Sequence, residues 1–263
     1  MKLHFGQTPL ERELQRLKTE ERRYMAKRKN EKESRLNAFL EDKVPDKLQD
    51  TLDTAFGTAF SLIFQKGTGV IEKTYNKEKL ERESESGQKE IQNRRDWRSL
   101  RDVTGKAEGS GWKNLILSGA AGIGMGVVGA GIPDIPVFTA MMLKSIYEIA
   151  LRYGFPYDTE EEKYFILLLI EGAMADWEEL QVIEEKLDIY MDTELLPLYY
   201  SREGQIRSAA AGLSKELLYM KFLQGTPVVG IIGGAYDVVY MKKITEYAEL
   251  KYRRRFYRKV GNK

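Results

Sequence analysis

The chain of 263 residues has no cysteine and a single histidine, His4. Without cysteine it has no disulfide bond, no thiolate zinc site and no cysteine nucleophile. A serine–histidine–aspartate triad or a histidine-based metal site would have to use His4. Since histidine is the commonest proton-transfer residue near neutral pH, the sequence argues against an enzyme and indicates no metal or other cofactor.

The chain also lacks a strong excess of charge of either sign. Its 42 lysines and arginines are nearly balanced by 40 aspartates and glutamates, which gives a net charge of +2. Composition therefore predicts no nucleic-acid partner. The N-terminal sequence MKLHFGQTPLERELQRLKTE has no continuous apolar run of the kind that signal peptides contain, so we expect a cytoplasmic protein.

No stretch of useful length alternates polar and apolar residues as a half-buried strand does, whereas apolar residues recur at helical spacing. The sequence therefore predicts an all-α fold, a multi-helix bundle. Thr8-Pro9-Leu10-Glu11 predicts the start of a charged helix over residues 8–41, because threonine suits the cap and proline the first turn. Residues 44–75 have the broad apolar face of a core helix, interrupted near Lys66-Gly67.

Further helices follow the same pattern along the chain. One is predicted to end at Gly154, one to begin after Thr159, one to span residues 178–192, and one to begin near Ile206. Residues 83–87 predict a loop or a break in a polar helical region. We assign residues 1–37 to a charged helical extension, residues 38–258 to one helical domain and residues 259–263 to a tail.

Two apolar runs are rich in glycine. The first run, residues 115–132, has no charged residue, and its length is the lower limit for a membrane span. Residues 222–241 form the second run. Glycine costs a helix about 1 kcal/mol relative to alanine, so its use here needs a reason. Small residues recur at every fourth position, at Ser118, Gly122, Gly126 and Ala130 and again at Thr226, Gly230 and Gly234.

Such a stripe lets two helix backbones approach closely, so the bundle should contain two glycine-rich, closely packed apolar helices. They either pack inside the fold or form a hairpin in contact with a bilayer. The glycines do not fit a dinucleotide-binding motif or a P-loop.

Isolated acids stand in apolar surroundings at Asp134, Glu148, Glu171, Asp176 and Asp237. A buried carboxylate needs a partner, so each should have a cationic partner or cap a helix. The alternative is that they converge into a carboxylate site that holds a divalent cation or acts as acid and base.

Basic residues cluster at both ends of the chain. Near the C-terminus, Arg253, Arg254, Arg255 and Arg258 are interspersed with aromatic residues. This pattern suits an anionic membrane surface, RNA or a solvated helix end, and the neighbouring apolar run favours lipid over RNA. The N-terminal cluster, Arg22, Arg23, Lys27, Arg28, Lys29 and Lys32, lies among glutamates. It predicts a solvated helix or a basic arm on anionic lipid.

The segment GIPDIPVFTAMMLKSIYEIALRYGFPYDTEEEKYFILLLIEGA, residues 131–173, resembles the central signature of the EcsC family. Residues 44–64 and 225–256 resemble the N- and C-terminal patterns of that family. The resemblance implies association with a bacterial membrane or with an ABC transporter. It supplies no catalytic residues.

Taken together, these features predict a membrane-associated accessory protein on the cytoplasmic face, with anionic lipid and an ABC transporter as partners. It would dock through the glycine-rich helices and their basic flanks. One alternative is a carboxylate-dependent hydrolase acting on lipid or peptide, and another is a soluble oligomeric binding module. The sequence does not indicate an oligomeric state.

Overall fold

A computed structural model describes residues 8–30, 46–73, 75–94, 96–108, 134–223 and 235–261. Within these ranges the regular structure is helical and contains no strand, which confirms the all-α prediction. The helices are α1 (Pro9–Asn30), α2 (Asp46–Leu62), α3 (Thr68–Glu72), α4 (Lys77–Arg94), α5 (Trp97–Glu108), α6 (Asp134–Arg152), α7 (Glu160–Met174), α8 (Trp177–Thr193), α9 (Arg202–Leu223) and α10 (Ala235–Gly261). A π-helical turn, Ile63–Gly67, joins α2 to α3 where the sequence predicts an interruption.

Local sequence signals determine several helix ends. The Thr8 hydroxyl accepts a hydrogen bond from the Glu11 amide at 3.2 Å, and the Glu11 carboxylate accepts one from the Thr8 amide at 2.8 Å. This reciprocal capping box confirms the predicted start of α1. Beyond α6, Gly154 has a φ of +76°, which glycine adopts without strain. Helix α4 continues through residues 83–87, so the break predicted there is wrong.

Helix α7 lies at the centre of the core. Its sequence is apolar on almost every side, and residues 164–170 are all buried. Helices α8, α9 and α10 pack around it, as a helix that is apolar all round requires. Helix α6 is the second core helix and contacts α2, α4, α5 and α10.

Helix α1 packs against this core, chiefly against α10. Its Leu17 side chain is only 2 % exposed. The Arg28 guanidinium donates hydrogen bonds to the backbone carbonyls of Ala173, at 2.7 Å, and Ala175, at the C-terminal end of α7. These contacts hold α1, which the sequence places in an extension, onto the helical domain.

The residues of the predicted glycine stripes, Gly122, Gly126, Ala130, Gly230 and Gly234, lie outside the described residues. Their close packing therefore stays a prediction. Among the helices that the structure describes, none combines the length and hydropathy needed to cross a bilayer.

One described glycine does sit at a close helix contact. A Cβ atom on Gly172 would lie 2.7 Å from Cε1 of Tyr247 and 3.0 Å from Cγ2 of Ile183. The Tyr247 ring cannot easily move, because its hydroxyl donates to Glu184 at 2.5 Å and its face stacks on Tyr24. Alanine gains about 1 kcal/mol of helix propensity over glycine, while overpacking typically costs about 1–3 kcal/mol.

We therefore expect Gly172→Ala to lower the free energy of unfolding by up to about 2 kcal/mol, measured by urea denaturation. Gly105→Ala is the matched control, because a Cβ there meets no atom within 4 Å. It should raise stability by up to about 1 kcal/mol. Equal effects at the two positions would contradict the assigned close contact.

Candidate functional site

The described acids that the sequence singles out hold different partners. Glu148 lies 3.6 Å from Arg152 and 3.9 Å from Lys144, within its own helix. Glu171 accepts a hydrogen bond from the Gln205 amide at 2.6 Å. Asp176 caps α8, because its carboxylate accepts hydrogen bonds from the backbone amides of Glu178 and Glu179, each at 3.0 Å. The same carboxylate lies 3.6 Å from Lys215 Nζ.

These contacts are those expected of acids that have cationic partners or cap a helix, and they do not bring Glu148, Glu171 and Asp176 into a shared pocket. The side chains of Asp134 and Asp237 lie outside the described part of the structure. Within that part, no group of three histidine, aspartate or glutamate residues is arranged to hold a metal ion.

Burial of the Glu171 carboxylate should make the stability of the protein depend on pH. Burial raises its pKa above the usual 4.5, although Lys186 and the Gln205 hydrogen bond oppose the rise. The folded protein therefore binds a proton on Glu171 more tightly than the unfolded chain does, and stability falls as pH rises through the folded pKa. We expect Glu171→Gln, which cannot ionise, to gain stability relative to the wild type as pH rises from about 4 to about 8.

Glu160→Gln is the matched control with the opposite sign. Burial favours a higher pKa for Glu160, but hydrogen bonds from Arg202 and Lys163 outweigh it and lower the pKa. Its contribution to stability is present above the unfolded pKa and is lost as pH falls through the folded pKa. Glu160→Gln should therefore lose stability relative to the wild type as pH rises, in urea titrations that cover the same pH range.

The C-terminal arginines that the sequence assigns to a basic surface are turned toward carboxylates of the fold. Arg253 binds Glu20, Arg254 lies 2.6 Å from Asp188 and 3.6 Å from Glu21, and Arg258 binds Asp192. Arg253 and Arg255 are buried. The prediction of an exposed surface is therefore wrong at these two positions, because helices α1, α7 and α8 supply acids that neutralise α10.

Arg255 belongs to the most deeply buried polar cluster among the described residues, the Glu162 cluster of Glu162, Tyr252 and Arg255. Glu162 is 2 % exposed and Arg255 7 %. The Glu162 carboxylate accepts hydrogen bonds from Arg255 Nη1 and from the Tyr252 hydroxyl, both at 2.6 Å. The guanidinium also lies 4.1 Å from the ring centroid of Phe155, a cation–π contact.

Each group in the Glu162 cluster shifts the protonation of its neighbours. Burial raises the pKa of Glu162, and the Arg255 charge limits that rise. Burial alone would lower the pKa of Arg255, but the Glu162 carboxylate outweighs it and raises that pKa. The cluster therefore keeps a charged guanidinium inside the core and fixes α10 against the first turn of α7.

Glu162 does not stand out in the sequence, because Glu160, Glu161 and Glu162 together resemble an acidic first turn. Thr159 does cap α7, because its hydroxyl accepts a hydrogen bond from the backbone amide of Glu162 at 3.2 Å. Helical periodicity is the sequence feature that indicates burial of Glu162. It lies three and seven residues before the buried Phe165 and Leu169, hence on a buried face.

Helix α1 presents the basic surface that α10 does not. Its acids Glu20 and Glu21 face α10, where they bind Arg253, Lys251 and Arg254. Its exposed side is the α1 basic face, formed by Lys18, Arg22, Arg23, Lys27 and Lys29. Lys18, Arg22, Arg23 and Lys27 make no ion pair with any residue that the structure describes.

Two residues near this face refine the N-terminal prediction. Arg28 belongs to the basic cluster in sequence but is buried, so it holds α1 in place and is not part of the exposed face. Lys29 Nζ lies 5.8 Å from the ring centroid of Trp177, which is partly exposed at the start of α8. A partly exposed tryptophan beside cationic side chains is typical of surfaces that contact lipid headgroups.

A distant relative in Bacillus subtilis (strain 168), named "Uncharacterized protein YdbA", is 27 % identical over 152 residues. That match covers 57 % of this chain and 56 % of the relative, so the chain spans little more than half the length of the curated relative. No solved structure matches the chain.

A family comparison covers much more of the sequence. The sequence model of the EcsC protein family matches residues 10–256. This range begins within the first turn of α1 and ends near the C-terminus of α10, so it includes α1 as well as the core helices. Because the match extends over nearly the whole chain, this protein belongs to the EcsC protein family.

Proposed function

We propose that this protein is a non-enzymatic accessory protein that binds the cytoplasmic face of an anionic membrane through the α1 basic face. The observation that carries the proposal is that the central acids and the exposed basic residues of α1 lie on different sides of the helix. Its two central acids, Glu20 and Glu21, bind α10, and the five residues of the α1 basic face are left facing solvent. A helix with one cationic side matches the electrostatics of an anionic leaflet.

The strength of this attraction sets the kind of binding to expect. Each basic residue near an anionic surface contributes about 1 kcal/mol. The five residues of the α1 basic face would together supply roughly 5 kcal/mol, which corresponds to weak, reversible binding. A second, apolar contact would strengthen it, and the glycine-rich runs at residues 115–132 and 222–241 are the segments that we propose for that contact.

Vesicle flotation tests the proposal directly. We expect the full chain to float with phosphatidylglycerol–phosphatidylcholine vesicles at about 0.1 M salt and to be released at about 1 M salt, where the Debye length falls to about 3 Å. Vesicles of phosphatidylcholine alone should bind much less protein. The absence of flotation with anionic vesicles, or equal binding to both compositions, would overturn docking through the α1 basic face.

The EcsC resemblance adds an ABC transporter as the proposed partner in the membrane. Leu198 and Tyr199, in the connection between α8 and α9, are 88 % and 92 % exposed. Exposed apolar side chains beside one another commonly mark a contact with another molecule. A photocrosslinking group at Tyr199 should capture a transporter subunit in native membranes, while the same group at the exposed Lys89 should not.

A further inference from the structure

A cavity of about 320 Å³ lies between the start of α1, helices α4 and α5, and the end of α10. Its apolar walls are Pro9, Leu10, Ile91, Leu100, Phe256 and Val260. Apolar voids reduce stability in proportion to their volume, and one this large is about twice the size of a cavity that accommodates benzene. A fold that retains such a space at the junction of four helices has room for an apolar ligand.

The polar part of the cavity lining restricts the chemistry of that ligand. Lys259 is the only charged residue among the described residues that line it, alongside Thr8, Gln88 and Gln92. Lys259 is exposed, and its Nζ lies 5.0 Å from the ring centroid of Phe155, a residue outside the cavity lining, so the ammonium group lies at the edge of the cavity. An apolar space with one cation and a few hydrogen-bonding groups at its edge complements an anionic amphiphile.

The size of the cavity restricts the ligand further. Its volume equals that of roughly ten water molecules at about 30 Å³ each, and a methylene group has about the volume of one water molecule. It lies at the lower end of the range of small-molecule sites, about 300–1,000 Å³. One medium-length acyl chain fits, whereas the two chains of a diacyl lipid do not.

We propose that this cavity binds the chain of a single-chain fatty carboxylate, whose carboxylate is held by Lys259. The chain would lie against Leu10, Ile91 and Phe256, the side chains that close the space between α1, α4 and α10. This site is distinct from the α1 basic face and needs no bilayer. It adds binding of one amphiphile in solution to the proposed membrane docking.

The length of the acyl chain is the first variable of the test. Titration of the protein with octanoate, decanoate and dodecanoate, followed by calorimetry below their micelle concentrations, should show saturable binding. Each buried methylene should tighten the dissociation constant about fourfold, and the gain should stop once the chain exceeds the cavity. Absence of saturable binding for all three carboxylates would overturn the proposal.

Variants locate the site. Val260→Trp, and independently Leu10→Trp, place an indole in the cavity from its partly exposed rim and should abolish dodecanoate binding while leaving the circular dichroism spectrum unchanged. Two variants are used so that a folding defect in one leaves the test intact. Binding that survives in folded samples of both variants would show that the ligand lies elsewhere.

The headgroup is tested separately. Lys259→Gln should weaken dodecanoate binding by about tenfold, which is about 1.4 kcal/mol, and leave dodecanol binding unchanged. The control Lys89→Gln, at an exposed position of α4, should change neither. Equal loss of both ligands in Lys259→Gln would overturn the assignment of the carboxylate to Lys259. Because no vesicles are present, these outcomes are independent of the flotation result.

Discussion

Replacing Arg255 by methionine should lower the free energy of unfolding by about 3–5 kcal/mol, the largest stability loss expected from a single substitution here. Methionine fills the space beside Phe155 but leaves Glu162 with the Tyr252 hydroxyl as its remaining hydrogen-bond donor. A carboxylate that is 2 % exposed would then keep its desolvation cost without the opposing charge. Urea denaturation at neutral pH measures the loss.

The pH dependence of Arg255→Met provides a second readout. Burial already raises the pKa of Glu162, and Arg255 limits the rise, so removing Arg255 should raise that pKa further. A carboxyl group with a raised folded pKa destabilises the fold as pH rises through that value. The deficit of Arg255→Met should therefore shrink as pH falls from about 8 to about 5, whereas a purely steric defect would be independent of pH.

The double variant Glu162→Gln/Arg255→Met is the matched control. Replacing both members of a buried ion pair is often nearly neutral, whereas removing one leaves an uncompensated charge. The double variant should therefore recover most of the stability that Arg255→Met loses. Additive losses from the two single substitutions, or a loss below about 1 kcal/mol for Arg255→Met, would contradict the structural role of the pair.

These residues also show what the sequence could and could not predict. Caps and helical periodicity act over three or four residues, so the starts of α1 and α7 and the left-handed turn at Gly154 were predictable from local pattern. The partners of the α10 arginines were not, because Glu20 is 233 positions from Arg253 and Glu162 is 93 positions from Arg255. Nothing in the sequence KYRRRFYRK indicates which side chains those distant helices will neutralise.

The same limit explains why the sequence assigns basic surfaces to both ends of the chain. Both chain ends are rich in arginine and lysine, and only the packing of α1 on α10 decides which end keeps its charge exposed. Glu20 and Glu21 lie on the same helix as Arg22 and Arg23, and the three-residue spacing of Glu20 and Arg23 favours pairing within that helix. In the fold these glutamates bind α10 instead, so pairing across helices leaves the neighbouring arginines facing solvent.

Neutralising the α1 basic face should nearly abolish membrane binding without unfolding the protein. The triple variant Arg22→Gln/Arg23→Gln/Lys27→Gln removes three cations that make no ion pair with the described residues. At about 1 kcal/mol for each, the partition onto anionic vesicles should fall by about 100-fold. Glutamine keeps the helix propensity close to that of arginine and lysine, so the unfolding transition should change little.

A control with the same change in net charge separates local docking from overall electrostatics. Lys47→Gln/Lys89→Gln/Arg207→Gln removes three exposed cations from α2, α4 and α9. If α1 is the docking surface, this control should keep most of the binding at about 0.1 M salt, because charges more than about 10 Å from the leaflet are screened. Equal losses in the two triple variants would mean that net charge, rather than the face left exposed on α1 by Glu20 and Glu21, governs attraction to the vesicle.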